Sequence, residues 1–254
     1  MERLRYISLF SGIGAFEKAL ENKGIPFELL HYCEVDTYAS KAYSLIHKVP
    51  ESMNLGDITK VDETQLPADI DLLTYGFPCQ DISAAGLQRG MFNEDGSHTR
   101  SGLFFEALRI IRHCKPKVAI AENVKNLVSA KFRPQFDLVL GNLDEAGYNN
   151  YWAVLNAKDY ELPQSRERVI IVSIRKDVDD GTFTFPEPVP LERCLNDLME
   201  PEVERRYFLS AEQLEKIEYS TFNQEKTRIQ NGGGICQTLL ARDYKAPKCV
   251  KVVQ

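Results

Sequence analysis

No stretch of the 254-residue sequence approaches the ~18 consecutive apolar residues that a bilayer-spanning helix needs, so no transmembrane helix is expected. The opening, Met1-Glu2-Arg3-Leu4-Arg5-Tyr6, lacks the apolar core of a signal peptide, and a soluble, cytoplasmic protein is the expectation. Histidine is scarce and cysteine is scattered. The four His and six Cys (Cys33, Cys79, Cys114, Cys194, Cys236 and Cys249) form no C-x-x-C pair and no ligand cluster. Neither a zinc site nor a disulfide framework is indicated, no metal is expected, and a reducing compartment fits. Internal repeats and low-complexity runs are lacking too. Positive charge is also in deficit, 31 Lys and Arg against 37 Asp and Glu, and the net −6 argues mildly against nucleic acid if taken globally. Its distribution matters more. Residues 186–220 carry nine acidic and four basic side chains, whereas 221–254 carry two acidic and six basic ones, a net of +4. That tail can meet a phosphate backbone, although a solvated basic face explains it as well.

What is present is a core. A hydrophobic content of 43% supports one large α/β domain with a small appendage. The chain is organised around Gly76-Phe77-Pro78-Cys79-Gln80-Asp81-Ile82-Ser83. Ile70 to Tyr75 reads as a short buried strand, and Gly76 and Pro78 stop it and present Cys79 at its carboxyl end, where open α/β sheets do chemistry. A thiol there suggests a nucleophile, since Cys is the side chain most readily activated near neutral pH. A lone Cys is more often buried and inert. Its setting has to decide.

Arg5 to Phe10 reads as the first strand, Ser11-Gly12-Ile13-Gly14-Ala15 as a glycine turn, and Phe16 to Asn22 as a helix, a nucleotide-type opening. A second strand over Glu28 to Glu34 ends in Glu34-Val35-Asp36, and Glu34 follows Gly14 by the spacing at which a carboxylate reaches a ribose hydroxyl. The third glycine of a dinucleotide fingerprint falls on Glu17, which speaks against a pyrophosphate ligand. Thr37 to Ile46 reads as helix, and Asn54 to Thr59 as a strand-to-turn edge carrying Asp57, an Asx turn or an adenine partner. After Cys79 a loop rich in Gly, Asn, Asp and Ser runs to about Arg100, long enough to be a functional lid. Ser101 to His113 reads as helix and Val118 to Ala121 as an apolar strand ending in Glu122-Asn123-Val124, at the same edge as Cys79. A helix from Pro134 to Ala146 and strands over Asn150 to Leu155 and Val169 to Ile174 follow. Arg166 and Arg168 enter the last strand on one face, and surface ion pairing is their bland reading. Proline-rich residues 185–190 leave the sheet domain, and Ser210 to Tyr219 reads as a helix with Ser210 as cap and Gln213 at the capping-box position.

Phe10-Ser11-Gly12-Ile13-Gly14, Glu34-Val35-Asp36, Gly56-Asp57-Ile58, Gly76-Phe77-Pro78-Cys79-Gln80, Glu122-Asn123-Val124 and Gln164-Ser165-Arg166-Glu167-Arg168 stand in order over residues 5–175. Together they resemble the successive blocks of the cytosine-C5 DNA methyltransferase family. The resemblance implies an α/β fold with a doubly wound, mostly parallel sheet of the S-adenosylmethionine-dependent methyltransferase type and a small irregular target-recognition region. It implies a cofactor, S-adenosyl-L-methionine, held by Phe10, Gly12, Ile13, Gly14, Glu34, Val35, Asp57, Ile58 and Pro78, with Leu103 at the adenine end. It implies that Cys79 is the nucleophile and that Glu122, Arg166 and Arg168 surround the target base, with duplex DNA as partner. Gln80, Ser83 and Arg89 in the loop, Gln164, and Arg242, Tyr244 and Lys245 in the basic tail are the candidate DNA contacts. Ser8, Ala15 and Asp81-Ile82 depart from the family's usual residues and read as variation within it.

Residues 1–182 form the expected catalytic domain and 183–254 the expected target-recognition region. The family's remaining blocks, including a Gly-Asn-x-Val segment beside the cofactor turn, would come after Gly232, yet the sequence stops at Gln254. Its one Gly-Asn pair, Gly141-Asn142, falls in a predicted helix. A split enzyme whose second polypeptide supplies the segment, a shortened relative, and a sequence that omits the true C-terminus all fit. A catalytically silent DNA-binding relative and an RNA-modifying enzyme of the same chemistry are the competing functions.

Overall fold

Tyr6, Ile7, Ser8 and Leu9 are buried in succession in strand β1 (Leu4–Leu9), as a central strand covered on both faces requires. In this computed structural model the described residues are 2–78, 91–92, 99–218, 228–239 and 248–251. A glycine turn follows β1 and opens α1 (Ala15–Asn22), then come β2 (Phe27–Cys33), α2 (Thr37–His47), β3 (Leu72–Tyr75), α3 (Phe104–Cys114), β4 (Val118–Val124), α4 (Arg133–Glu145), β5 (Tyr148–Asn156), β6 (Gln164–Ser165) and β7 (Glu167–Arg175). Six of these strands form one sheet in the order β2-β1-β3-β4-β7-β5. β1 runs parallel to β2 and β3, β3 parallel to β4, and β4 antiparallel to β7. The sheet is doubly wound and mostly parallel, as expected. Strand order reverses between β1 and β3, the kind of switch point at whose carboxyl ends open α/β sheets bind ligands.

Leu73 and Tyr75 of β3, Ala119 and Ala121 of β4, Phe104, Leu108 and Ile111 of α3, and Phe136, Val139 and Leu143 of α4 share one core. Each such fully buried large side chain contributes roughly 1.5–3 kcal/mol. Asp36 caps α2 by accepting from Tyr38 N at 2.9 Å and Ala39 N at 2.8 Å.

Three local expectations change. β4 does not stop at Ala121: the longer β7 pairs with it to the end, Glu122 opposite Ile170, Asn123 opposite Val169 and Val124 opposite Arg168. The edge over Asn54 to Thr59 reduces to a single bridge, Tyr32 to Asn54, and a 3-10 turn, Ile58–Lys60. Glu17 does not face a ligand at the helix start but points inward, 1% exposed, where the Tyr43 and Tyr6 hydroxyls donate to its Oε1 at 2.8 and 3.1 Å. Burial, with the Glu17 charge second, pushes both phenols up.

The chain divides into two compact units, residues 1–154 with 168–185, and 155–167 with 186–254. Segment 155–167 therefore leaves the expected catalytic domain, because β6 pairs with β9 (Cys236–Gln237) and not with the six-stranded sheet. The second unit also holds α5 (Ala211–Glu218), β8 (Ile229–Asn231) and β10 (Cys249–Lys251), the last two paired in parallel. α5 carries the capping box read from the sequence: Gln213 Oε1 accepts from Ser210 N at 2.9 Å, and Ser210 Oγ accepts from Gln213 N at 3.2 Å. Among the described residues no helix is long and apolar enough to cross a membrane, and no cluster of three His, Cys, Asp or Glu could hold a metal.

Candidate functional site

At the carboxyl end of β1 the backbone turns sharply. Phe10, Gly12 and Gly14 all take positive φ, 53°, 56° and 85°. Phe10 is the costly one, since a non-glycine residue held in that region costs about 1–3 kcal/mol and persists where the surroundings impose it. Ser11 N donates to Cys33 O at 3.0 Å, Gly14 N closes on Ser11 O at 2.9 Å, and Gly12 N donates to Glu34 Oε2 at 2.9 Å. A Cβ on Gly12 would meet nothing within 4 Å, so the turn is open there. Ile13 and Val35, 57% and 71% exposed, present apolar side chains on either side of Glu34 in sequence.

Glu34 sits one residue beyond β2, and its second oxygen, Oε1, accepts from Asp36 N at 2.8 Å. Asn54 grips the same residue: its Oδ1 accepts from Glu34 N at 3.0 Å and from Gly56 N at 2.9 Å, and its Nδ2 donates to Glu34 O at 2.9 Å. Asp57 caps the following 3-10 turn, accepting from Thr59 N at 3.1 Å and Thr59 Oγ1 at 2.8 Å, which holds its carboxyl below the usual range. Its Asx-turn role is thus present. Ile58 goes into the core, and its carbonyl accepts from Arg109 of α3 at 2.7 Å. Leu103 ends the 3-10 turn Arg100–Leu103 and packs against the core.

β3 leads into Gly76, Phe77 and Pro78. Phe77 is buried and meets Phe104 edge-on, with centroids 5.6 Å apart, and its carbonyl accepts from Asn123 Nδ2 at 3.1 Å. Half-buried Pro78 is the last described residue before Cys79, which lies outside the described residues. Beside this strand end stands Glu122. A Cβ on Gly76 would lie 3.8 Å from Glu122 Oε2, and Arg168 Nε donates to Glu122 Oε1 at 2.6 Å. The two side chains are diagonal neighbours on one face of the β4/β7 ladder. Burial of Glu122, expected of a proton donor to a base, is incomplete: the side chain keeps 30% exposure and is ion-paired.

Residues 4–248 match the family pattern described as C-5 cytosine-specific DNA methylase. The chain belongs to that family. It is 35% identical over 262 residues to the orphan methyltransferase M.Rho11sI of Bacillus phage rho11s, covering 92% of this chain and 51% of that protein. It is 41% identical over 202 residues to the type II methyltransferase M.HhaI of Haemophilus parahaemolyticus, covering 79% and 58% respectively. The chain thus spans little more than half the length of these relatives. Among solved structures, the S. pombe Dnmt2 methyltransferase superposes with a TM-score of 0.67 at 21% identity over 96% of this chain and 72% of that one. The Entamoeba histolytica methyltransferase EhMeth gives 0.72 at 16% identity, over 98% and 74%.

C-5 cytosine methylases use S-adenosyl-L-methionine, and the residues present fit it. Gly12 leaves open space at the turn, Glu34 offers carboxylate lone pairs for ribose hydroxyls beyond the two it uses, and Ile13 and Val35 offer exposed apolar surface for a purine. In the second unit, Gln164 pairs with Cys236 and Ser165 with Gln237, Thr238 Oγ1 donates to Ser165 O at 2.7 Å, and Arg166 N donates to Asn156 Oδ1 at 2.9 Å. The methylase block around Gln164 is thereby joined to the 236–238 segment. Gln80, Ser83, Arg89, Arg242, Tyr244 and Lys245 lie outside the described residues. Asn54, Arg109 and Asn123 were not among the sequence candidates. Each reaches a backbone atom of another segment, Asn54 the Glu34 N–H and carbonyl, Arg109 the Ile58 carbonyl and Asn123 the Phe77 carbonyl, 20 to 51 positions away, and only Asn123, inside a motif block, carried any signal.

Proposed function

We propose that this chain transfers a methyl group from S-adenosylmethionine to carbon 5 of a cytosine flipped out of duplex DNA, through a covalent adduct at Cys79. The observation that carries the reading is the Glu122–Arg168 pair at the strand end that delivers Gly76-Phe77-Pro78-Cys79, on the same sheet edge as the open turn and Glu34. Cytosine N3 and O2 are adjacent acceptors. A protonated Glu122 and the Arg168 guanidinium, side by side on one ladder face, are a matching pair of donors. The bound cofactor supplies an electrophilic methyl on a sulfonium. The Cys79 thiolate adds to carbon 6, the displaced ring electrons draw the Glu122 proton onto N3, and carbon 5 becomes the nucleophilic end of an enamine. After transfer, the carbon 5 proton leaves to a base, Glu122 recovers its proton from N3, and Cys79 is eliminated as thiolate. A stacked base cannot be reached from both faces in this way, which is why flipping belongs to the mechanism. Glu34, Ile13 and Val35 hold the nucleoside end of the cofactor, and the paired strands β6 and β9 contribute to target recognition.

The test is transfer of label from S-adenosylmethionine to unmethylated DNA, with hydrolysis to identify the base, run with the chain alone and with added polypeptide carrying the relatives' remaining C-terminal length. Label in 5-methylcytosine is expected; label elsewhere, or in tRNA and not DNA, refutes the reading. Cys79→Ser is expected to abolish transfer while leaving cofactor affinity within about threefold of wild type. Retained transfer by this variant would sink the covalent step.

A further inference from the structure

His47 ends α2 and belongs to none of the motif blocks, yet its side chain is only 4% exposed. Three contacts enclose it. Nε2 lies 3.1 Å from the carbonyl oxygen of Ile13, inside the turn after β1; Nδ1 lies 3.2 Å from Glu21 Oε1 on α1; and the ring tilts against Tyr43, with centroids 4.7 Å apart. The Ile13 carbonyl can only accept, so Nε2 is the donor in that bond. Gly14 is where the imidazole comes nearest the backbone. A Cβ there would sit 2.0 Å from Nε2 and 2.7 Å from Cδ2, so the ring fills the space a side chain would need. The second glycine of the turn thus answers two demands, a φ of 85° and the imidazole packed against it.

The two halves of the turn are fixed differently. Ser11 N and Gly12 N tie the first half to Cys33 O and the Glu34 carboxylate; in the Ile13–Gly14 peptide the N–H closes on Ser11 O within the turn, and the carbonyl is held from outside it by a side chain of α2. We infer that His47 is a positioning residue for the cofactor: by holding the Ile13 carbonyl it fixes the Ile13–Gly14 peptide, and with it the opening at Gly12 and the side chain of Ile13. A turn fixed before binding spares the ligand the cost of ordering it. The inference rests on the reading of this turn as the cofactor site.

Calorimetric titration of S-adenosylmethionine into the wild-type chain and three variants tests it. His47→Gln places an amide nitrogen near the position of Nε2, His47→Asn reaches only that of Nδ1, and His47→Ala removes both. The Gln variant should bind within about threefold of wild type, and the Asn and Ala variants at least about tenfold more weakly. Thermal midpoints are read on the same samples, because Gln and Asn both lose the ring and its contact with Tyr43. A purely structural role would lower midpoint and affinity together in both. Equal affinity in the Gln and Asn variants overturns the inference, and that pair decides the matter if His47→Ala fails to fold. No binding by the wild-type chain overturns the cofactor reading and the inference with it.

Discussion

Glu34 joins two tasks in one carboxylate. It ties the turn after β1 to the end of β2 through Gly12 N and Asp36 N, and in the proposed function it also accepts from ribose hydroxyls. Removing it therefore loosens the turn and deletes a ligand contact at once. Glu34→Ala should weaken S-adenosylmethionine binding by at least about tenfold, and Glu34→Gln by less, because the amide keeps one acceptor oxygen. Calorimetry on the two variants checks this, and unchanged affinity in the Ala variant would refute the assignment. The place of Glu34 at the turn was legible because its spacing from Gly14 is a property of the chain. His47 was not: its partners, Ile13 O and Glu21, lie 34 and 26 positions away, and only the packing of α2 against the turn brings them within reach.

Between elements, Asn54 does the joining. Its amide meets both backbone groups of Glu34, the N–H of Gly56 and, at 2.9 Å, the hydroxyl of Ser40 on α2, so one side chain ties the end of β2 to α2 and to the corner before Ile58. Asn54→Asp keeps the acceptor oxygen and turns the donor into a second acceptor, which leaves Glu34 O facing a carboxylate. Stability should fall by about 1–3 kcal/mol in denaturant unfolding, and cofactor affinity should fall with it. An Asp variant as stable and as tightly binding as wild type would show that the clamp does not matter. Strand and helix identities were readable at this scale because period and caps are local: the helix from Thr37 and the Ser210–Gln213 box before α5 sit where sequence puts them. The extent of β4 was not, because Glu122 and Asn123 are kept in the strand by the pairing of β7, a residue stretch some fifty positions later.

Over the whole sheet the two ends carry different work. The carboxyl ends of β1, β3 and β4 hold the open turn and the Glu122–Arg168 pair, while the opposite end is laced by charge. There Asp71, just before β3, accepts from Arg5 N of β1 at 2.8 Å and pairs with Lys117, just before β4, at 2.8 Å. Near it Arg175 at the end of β7 binds Asp69, Asp177 and the Lys115 carbonyl. Lys117 first, and then the Arg5 N–H, hold the Asp71 carboxyl below the usual carboxylate range. Because the folded-state value is depressed, this contribution is complete above the unfolded-state value of about 3.9 and is lost as pH falls through the lower folded-state value. Asp71→Ala should therefore lower the thermal midpoint at pH 7 by roughly 2–6 °C, for a loss of about 1–2 kcal/mol, and the deficit should shrink as pH approaches 3. Cofactor affinity at pH 7 should not change, since no part of the turn or of Glu34 touches this end of the sheet. A deficit that stays constant down to pH 3 would remove Asp71 from the acid response, and a loss of cofactor affinity would mean that the two ends of the sheet are coupled.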